Sequence, residues 1–485
     1  MHALVLGASI SGLLAARVLA EHHDRVTLVD RDPIVRLTGP RRGVPQGRHI
    51  HVLHPRGLQI LDELFPGLAT SLVDDGAVGL DTAGEVRAIL SGHRQLQTPL
   101  GLRGVLCTRP FLEDRLRTRV LDLPNVEVRH AAVVGLIGSA AAGRRITGAR
   151  IVPDGAAECA ITADLVVDAT GRGSHTPVAL TELGYDRPAE DRVDIGICYA
   201  TRLFRLRPGA LGRDVAIVQG GTLEHPRSGV IASIEGGRHL VGLVGVLGDM
   251  PPTDVGGFAA FAATLQHPDV ADALVDAEPL DDGVTIRFPA SVRRRYERTA
   301  ALPDGLLVIG DGVCSFNPVY GQGMTVAALE AALLRDMLAH HRVPDPRQWY
   351  RAVARVVDAP WQVAVGADLA HPEVPGRRTL QVRLAHAYLP RFHAAAADDP
   401  VLAAAFARVV GLVDRPEQLL RPDRVVRVAV GTWRRRRAAA QPASGARSGP
   451  GTAPGRLIRS AIASSSRTPG SSSASPKTSR SPASR

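Results

Sequence analysis

Short runs rich in Val, Leu and Ile mark the chain at Ala3–Leu6, Arg25–Val29, Val126–His130, Leu165–Asp168 and Leu306–Ile309. Stretches with helical spacing separate several of them, at Ser11–Glu21, Arg109–Leu121 and Met324–His340. A strand covered on both faces reads as a continuous aliphatic run, so this alternation predicts a parallel α/β sheet. The middle of the chain is patterned differently. Val230–Ile234 and His239–Val246 flank a Glu235-Gly236-Gly237 turn, which predicts an antiparallel hairpin. The reading is therefore a discontinuous α/β domain from residues 1–75, 105–175 and 295–344, carrying an inserted antiparallel β-sheet domain from residues 76–104 and 176–294. A helical segment follows over 345–433. Residues 434–485 are Ser, Pro, Ala, Gly and Arg with few large apolar side chains, and are expected to be a disordered basic tail.

Composition changes this picture in three places. The formal charge of +10 over 485 residues suggests a nucleic-acid partner, but eleven basic residues and no acidic one lie in 434–485. The body is thus near neutral, and the tail has no aromatic residue to stack on bases. No nucleic-acid partner is expected. Arg434–Arg437 is read as a solvated start to the tail. No run of 18 apolar residues occurs, so no membrane span is expected. The four cysteines, Cys107, Cys159, Cys198 and Cys314, form no CxxC pair, and the first strand starts at His2, which leaves no room for a leader. A cytoplasmic protein is expected. Lys477 is the sole lysine, which removes Walker-type and Schiff-base chemistry from the folded part.

The first candidate site is Gly7-Ala-Ser9-Ile-Ser11-Gly12, between the first strand and a helix rich in small residues. It is a G-x-G-x-x-G variant with serine in the second glycine position. Gly7 permits the tight turn, Gly12 lets helix and strand approach, and the helix start offers N–H groups to a pyrophosphate. Asp30 ends the second strand eighteen residues after Gly12, where its carboxylate can accept both ribose hydroxyls. An acid there favours an unphosphorylated adenosine, and Arg31 beside it adds a guanidinium at the same strand end.

The second candidate site is the strand end Gly310-Asp311, continuing through Phe316-Asn317-Pro318-Val319-Tyr320-Gly321-Gln322-Gly323-Met324 into a long Ala/Leu helix. A carboxylate at a strand end can accept hydroxyl hydrogen bonds from a ribityl chain. Glycines opening a helix let a planar ring lie against bare backbone, with N–H groups stabilising charge on a reduced flavin.

With both sites in view, the sequence resembles the group A FAD-dependent monooxygenases, the para-hydroxybenzoate hydroxylase-like superfamily. Within it the chain looks most like the bacterial polyether-type flavin epoxidases. Arg41-Arg42-Gly43-Val44-Pro45-Gln46-Gly47-Arg48-His49-Ile50-His51, Asp168-Ala-Thr-Gly-Arg172-Gly173-Ser174, Tyr199-Ala-Thr-Arg-Leu-Phe204 and Phe316 to Met324 carry that likeness. It implies a Rossmann-like FAD-binding domain of the GR2 type with the inserted sheet as substrate domain. It implies non-covalent FAD, with NAD(P)H and dioxygen as co-substrates and oxygen transfer through a flavin C4a-hydroperoxide. The product would be an epoxidised or hydroxylated lipophilic small molecule of secondary metabolism. The resemblance also implies that Arg109, in Cys-Thr-Arg-Pro-Phe-Leu-Glu, helps hold FAD, and that Arg42 is the basic residue after the ribose-binding strand. Asp168 is read as architectural.

Because the cofactor supplies the electrophile, no catalytic acid or base is assigned. His49, His51 and His54 lack a nearby carboxylate cluster, and no metal site is expected. The W-x-W-x-I-P signature of flavin halogenases is absent, which disfavours a halogenase. No second nucleotide-binding glycine motif occurs, so NAD(P)H should bind transiently. Two rival readings stand beside this one: a FAD-dependent reductase of isoprenoid double bonds, like the geranylgeranyl reductases, and a non-catalytic flavin-binding regulatory protein. The oligomeric state is not legible.

Overall fold

All five aliphatic runs enter one sheet. In the computed structural model, which describes residues 1–34, 39–139 and 144–440, the order is Leu306–Val308, Leu165–Asp168, His2–Leu6, Arg25–Asp30 and Val126–Ser139, every pair parallel. Arg145–Pro153 and Cys159–Thr162 extend this sheet to seven strands as an antiparallel edge. The Val126 strand runs well beyond His130. From Ala131 it leaves its parallel partner and pairs antiparallel with Arg145–Pro153. The helices Ile10–Leu19, Arg109–Leu121 and Gly323–Leu338 stand where the spacing puts them. The Leu306 strand stops at Val308, one residue early, because Gly310 turns the chain at a φ of +62°.

The middle of the chain forms a mostly antiparallel nine-stranded sheet around Glu190–Arg205, Val284–Arg294, Arg238–Gly245 and Ser228–Ile234. The expected hairpin is present, closed by a single helical turn at Glu235–Gly237. Val86–Leu90, from the segment before the Arg109 helix, pairs parallel with Ala216–Gln219 in the same sheet. Met1–Arg436 makes up one compact unit, and the divisions read from the sequence at 76, 105, 176 and 295 fall inside it.

The helix Pro346–Asp368 belongs to the main core. Trp349, Val353 and Val357 are fully buried against the parallel sheet. The Tyr350 hydroxyl accepts from the Val308 N–H at 3.1 Å, and Trp349 Nε1 donates to the Val308 carbonyl at 3.3 Å. Two side chains thus satisfy the outward backbone groups of Val308 on this edge strand. Leu380–Ala396, Pro400–Val410 and Pro422–Ala440 complete the helical segment. The last helix continues through 434–440, which the sequence had assigned to the tail. Arg and Ala are strong helix formers and propagate a helix already nucleated at Pro422. Residues 441–485, the rest of the expected tail, lie outside the described residues.

Candidate functional site

A cavity of about 2670 Å³ is lined by the C-terminal ends of the parallel strands, one face of the large sheet and the C-terminal helices. The first glycine turn forms one of its walls. Gly7 has φ +96°, and a Cβ there would sit 2.6 Å from the Ala169 carbonyl oxygen. A Cβ on Gly12 would lie 1.8 Å from the Gly7 carbonyl oxygen, so helix and turn meet backbone to backbone. Ser9 occupies the N-cap position of the Ile10–Leu19 helix without capping it. Its hydroxyl donates to Glu113 at 2.7 Å and accepts from Arg109 Nη2 at 2.7 Å. The first-turn N–H groups are therefore left to whatever fills the cavity.

Asp30 sits behind this turn in a buried charge network. Its Oδ2 accepts from the Ala8 N–H (2.6 Å) and Arg41 Nη1 (3.0 Å), and its Oδ1 from the Asp32 N–H (2.9 Å). Only Oδ1 keeps a free lone pair, so Asp30 has capacity for one ribose hydroxyl rather than two. Arg41 also pairs with Asp32 and Glu113, and these carboxylates hold its proton more firmly despite burial. Glu113 is itself buried and accepts from Ser9, Arg109 Nε (2.9 Å) and Arg41 Nε (3.4 Å). Its pKa lies below the usual value: burial pushes it up, and the two guanidiniums with the Ser9 hydroxyl more than offset that.

The second glycine turn faces the same cavity. The Gly310 N–H donates to Glu330 Oε2 at 2.6 Å, while Glu330 Oε1 is buried without a partner. Burial pushes this carboxyl up to about 8. Among the described residues the Asp311 carboxylate makes no hydrogen bond; it lines the cavity and is held above the ordinary aspartate range by the enclosing protein. Arg109, Arg172 and Arg294 draw it part of the way back. The Gly323–Leu338 helix begins at Gln322 with no side-chain cap, and Gln322 Oε1 is buried and unpartnered. Thr108, Asp254, Asp345, Thr379 and Asp399 do cap their own helices. A Cβ on Gly323 would meet nothing within 4 Å, so bare backbone opens onto free space.

A third group lies where the large sheet meets the Pro346–Asp368 helix. Burial raises Asp368 to about 6, against hydrogen bonds from Asn317 Nδ2 (2.7 Å) and Ser291 Oγ (3.4 Å). The Tyr199 hydroxyl is buried without a partner, and burial holds it well above the ordinary phenol value. His49 Nδ1 bonds Thr201 Oγ1 at 2.8 Å, His51 Nδ1 the His49 carbonyl at 2.9 Å, and His54 Nε2 the Tyr320 carbonyl at 3.0 Å. Burial pushes His49 down to about 4 and His51 to about 3, so both are neutral at physiological pH. Among the described residues, no group of three or more His, Cys, Asp or Glu could hold a metal ion.

Of the residues singled out in the sequence, Gly7, Ser9, Ser11, Asp30, Arg31, Arg109, Asp311, Pro318, Gly321, Gln322, Gly323 and Met324 all line this one cavity. Gly12 packs behind the wall. Arg42 is exposed and off the cavity, whereas its neighbour Arg41 is the buried, cavity-lining arginine. Adjacent side chains in a loop diverge, and nothing local says which points inward. Asp168 holds its own turn, accepting from Thr170, Ser174 and Thr176. Glu113, Arg172, Glu330 and Asp368 were not foreseen. Glu113 had a signal, because an acid four residues after Arg109 shares its helix face. Asp368 had none.

No family model matches the chain. Protein Rv3254 of Mycobacterium tuberculosis is 36% identical over 435 residues, covering 85% of this chain and 90% of that protein. Among solved structures, the flavin-dependent brominase Bmp2 superposes with a TM-score of 0.63 at 16% identity, over 90% of this chain and 100% of its own. A flavoprotein/dehydrogenase from Cytophaga hutchinsonii gives 0.64 at 15% identity, over 90% and 99%. PqsL of Pseudomonas aeruginosa, a probable FAD-dependent monooxygenase, gives 0.54 at 16%, over 83% and 99%. At these identities the likeness is one of fold, and this fold houses more than one chemistry.

Proposed function

Since the chain belongs to the family of protein Rv3254 and has the fold of flavin-dependent monooxygenases and halogenases, we propose that it is a FAD-dependent monooxygenase. It uses NAD(P)H and dioxygen to epoxidise or hydroxylate a lipophilic small molecule. The observation that carries this reading is the Asp311 carboxylate, without a hydrogen bond among the described residues, on a cavity that the uncapped N-termini of the Ile10 and Gly323 helices also face. Such a cavity suits an extended dinucleotide with a pyrophosphate, a polyol and a flat ring. The Ile10 helix start holds the pyrophosphate and Asp30 Oδ1 one ribose hydroxyl. Arg109 is a fork of donors for phosphate or ribityl oxygens, and Asp311 accepts from the ribityl chain. Gly321 to Met324 present backbone N–H groups to the flavin's pyrimidine edge.

When bound, FAD supplies hydride acceptance from NAD(P)H and activation of dioxygen for transfer of one oxygen atom. The chain's own part is orientation and exclusion of water. Val218, Val230, Val244, Ile286 and Phe288 give the sheet side of the cavity an apolar stretch. A dry wall there protects a reactive oxygen donor from solvent. Among the polar residues lining the cavity, Tyr199 and Asp368 would orient a substrate oxygen.

Product mass after turnover with isotopically labelled dioxygen and NAD(P)H decides the matter. One labelled atom in the product supports the monooxygenase. A product two hydrogens heavier without label establishes the reductase, and absence of NAD(P)H oxidation with any lipophilic ligand points to a regulatory protein. Asp311→Ala should weaken FAD about ten-fold or more, since a hydrogen bond to a charged group is worth roughly 1.5–3 kcal/mol. Wild-type affinity in that variant would remove Asp311 from the site.

A further inference from the structure

The C-terminal helices carry a surface that the proposed chemistry does not use. Residues 377–436 contain twelve arginines and five carboxylates, a net charge of +7 in a described chain whose remainder is acidic. Arg377, Arg383, Arg391, Arg424, Arg434 and Arg436 form no ion pair among the described residues, although Arg424 bonds the Gln418 carbonyl.

Amid this charge lies exposed apolar surface. Leu380 (72% exposed), Leu384 (60%) and Leu420 (59%) face solvent, and the same three side chains line the cavity. They form one mouth of it, where its lining reaches solvent. Val425 also lines the cavity, and it shares a shallow groove with Tyr388, Ala429 and Trp433. The apolar face thereby continues along the Pro422–Ala440 helix through Val426, Val430 and Trp433. A contiguous patch of this kind marks an interaction surface. An indole and aliphatic side chains flanked by arginines is the pattern of a segment seated at a lipid interface.

We propose that this face docks on an anionic lipid surface, so that the cavity mouth opens onto the acyl layer and a lipophilic substrate enters without crossing water. Docking stands on the surface alone, and the passage of substrate rests on the function proposed above. Charge selects the occupant. A second copy would set +7 against +7, and residues 441–485 hold seven basic residues and no acid, so both alternatives repel.

Flotation of the full-length, flavin-loaded protein with vesicles provides the test. The protein should float with phosphatidylglycerol/phosphatidylcholine vesicles, stay behind with phosphatidylcholine alone, and release as salt rises. Arg434→Glu and Arg436→Glu should each weaken partition by about five-fold or more, since one basic residue near an anionic leaflet contributes about that factor. Val426→Asp with Val430→Asp should weaken it as well, while bound-flavin absorbance and melting temperature report an intact fold. Equal binding to neutral vesicles, or anionic binding untouched by the Val426/Val430 pair, overturns the proposal, the latter by assigning the attraction to 441–485. Binding to a soluble acidic protein without binding to vesicles also overturns it. A colourless protein that still floats would fault the flavin reading and leave the docking surface standing.

Discussion

Glu330 makes stability depend on pH in a direction opposite to that of most carboxylates. It is 1% exposed on the Gly323–Leu338 helix and holds the Gly310 N–H at 2.6 Å. Burial raises it from the ordinary 4.5 to about 8. Below pH 4.5 the carboxyl is protonated in both folded and unfolded chains and costs nothing. Between those two values the unfolded chain has lost the proton while the folded chain keeps it. Stability then falls by about 1.4 kcal/mol per pH unit, and the total by pH 8 is on the order of 5 kcal/mol. Glu330→Gln keeps an oxygen for Gly310 and cannot ionise. The variant should match wild type within about 1 kcal/mol at pH 5. At pH 8 it should exceed wild type by several kcal/mol. Urea unfolding of the cofactor-free and cofactor-loaded protein at pH 5, 7 and 9 reads this directly. Parallel profiles for variant and wild type would mean that Glu330 titrates normally, and the account of the Gly310 turn would fail with it.

Three further outcomes are expected. Glu113→Ala strips the shared acceptor from Ser9, Arg41 and Arg109 and should cost about 3–5 kcal/mol in urea unfolding, the penalty for breaking a buried ion pair. Glu113→Gln should cost less, and equal stability of wild type and the alanine variant would deny the network its weight. Trp349→Ala leaves a cavity at a fully buried site and frees the Val308 carbonyl, so a loss of about 3–5 kcal/mol is expected; Trp349→Phe should lose roughly 1 kcal/mol. Gly323→Val fills open space and should melt within a few degrees of wild type yet lose bound flavin, whereas Gly12→Val should fail to fold; a Gly323→Val protein that stays yellow would refute the ring-against-backbone assignment.

The parallel sheet was legible because strands covered on both faces need aliphatic residues at every position. That rule lapses where a strand changes partners, which is why the Val126 strand was read only as far as His130. From Ala131 to Gly138 every residue is apolar or glycine, but Ala132 and Val134 are exposed, and Gly135 and Gly138 break the strand signal. The glycine turns were legible because the backbone has room for nothing larger at Gly7 and Gly12. Side-chain direction was not, and so Arg42 was named where Arg41 is buried. Asp368 and Glu330 escaped for a different reason. Each gains its character from burial by elements remote in sequence, and an isolated acid in a helix gives no sign of that. The end of the last helix was misplaced because an arginine-rich stretch with no apolar face reads as tail, although its residues favour the helix they continue.

The sealing of the edge strand by Trp349 and Tyr350 also governs how the chain can be made. His2–Leu6 lies between Arg25–Asp30 and Leu165–Asp168, and Leu165–Asp168 in turn needs Leu306–Val308. At roughly 5–20 residues per second, Trp349 leaves the ribosome about 20–70 s after the first strand. Until the end of that interval the sheet around the first glycine turn is incomplete, and each strand that joins exposes a fresh aliphatic edge. The indole and the phenol close it at Val308. A chain interrupted anywhere before residue 350 therefore carries an open parallel-sheet edge, and association with other nascent chains is the fate that synthesis must outrun.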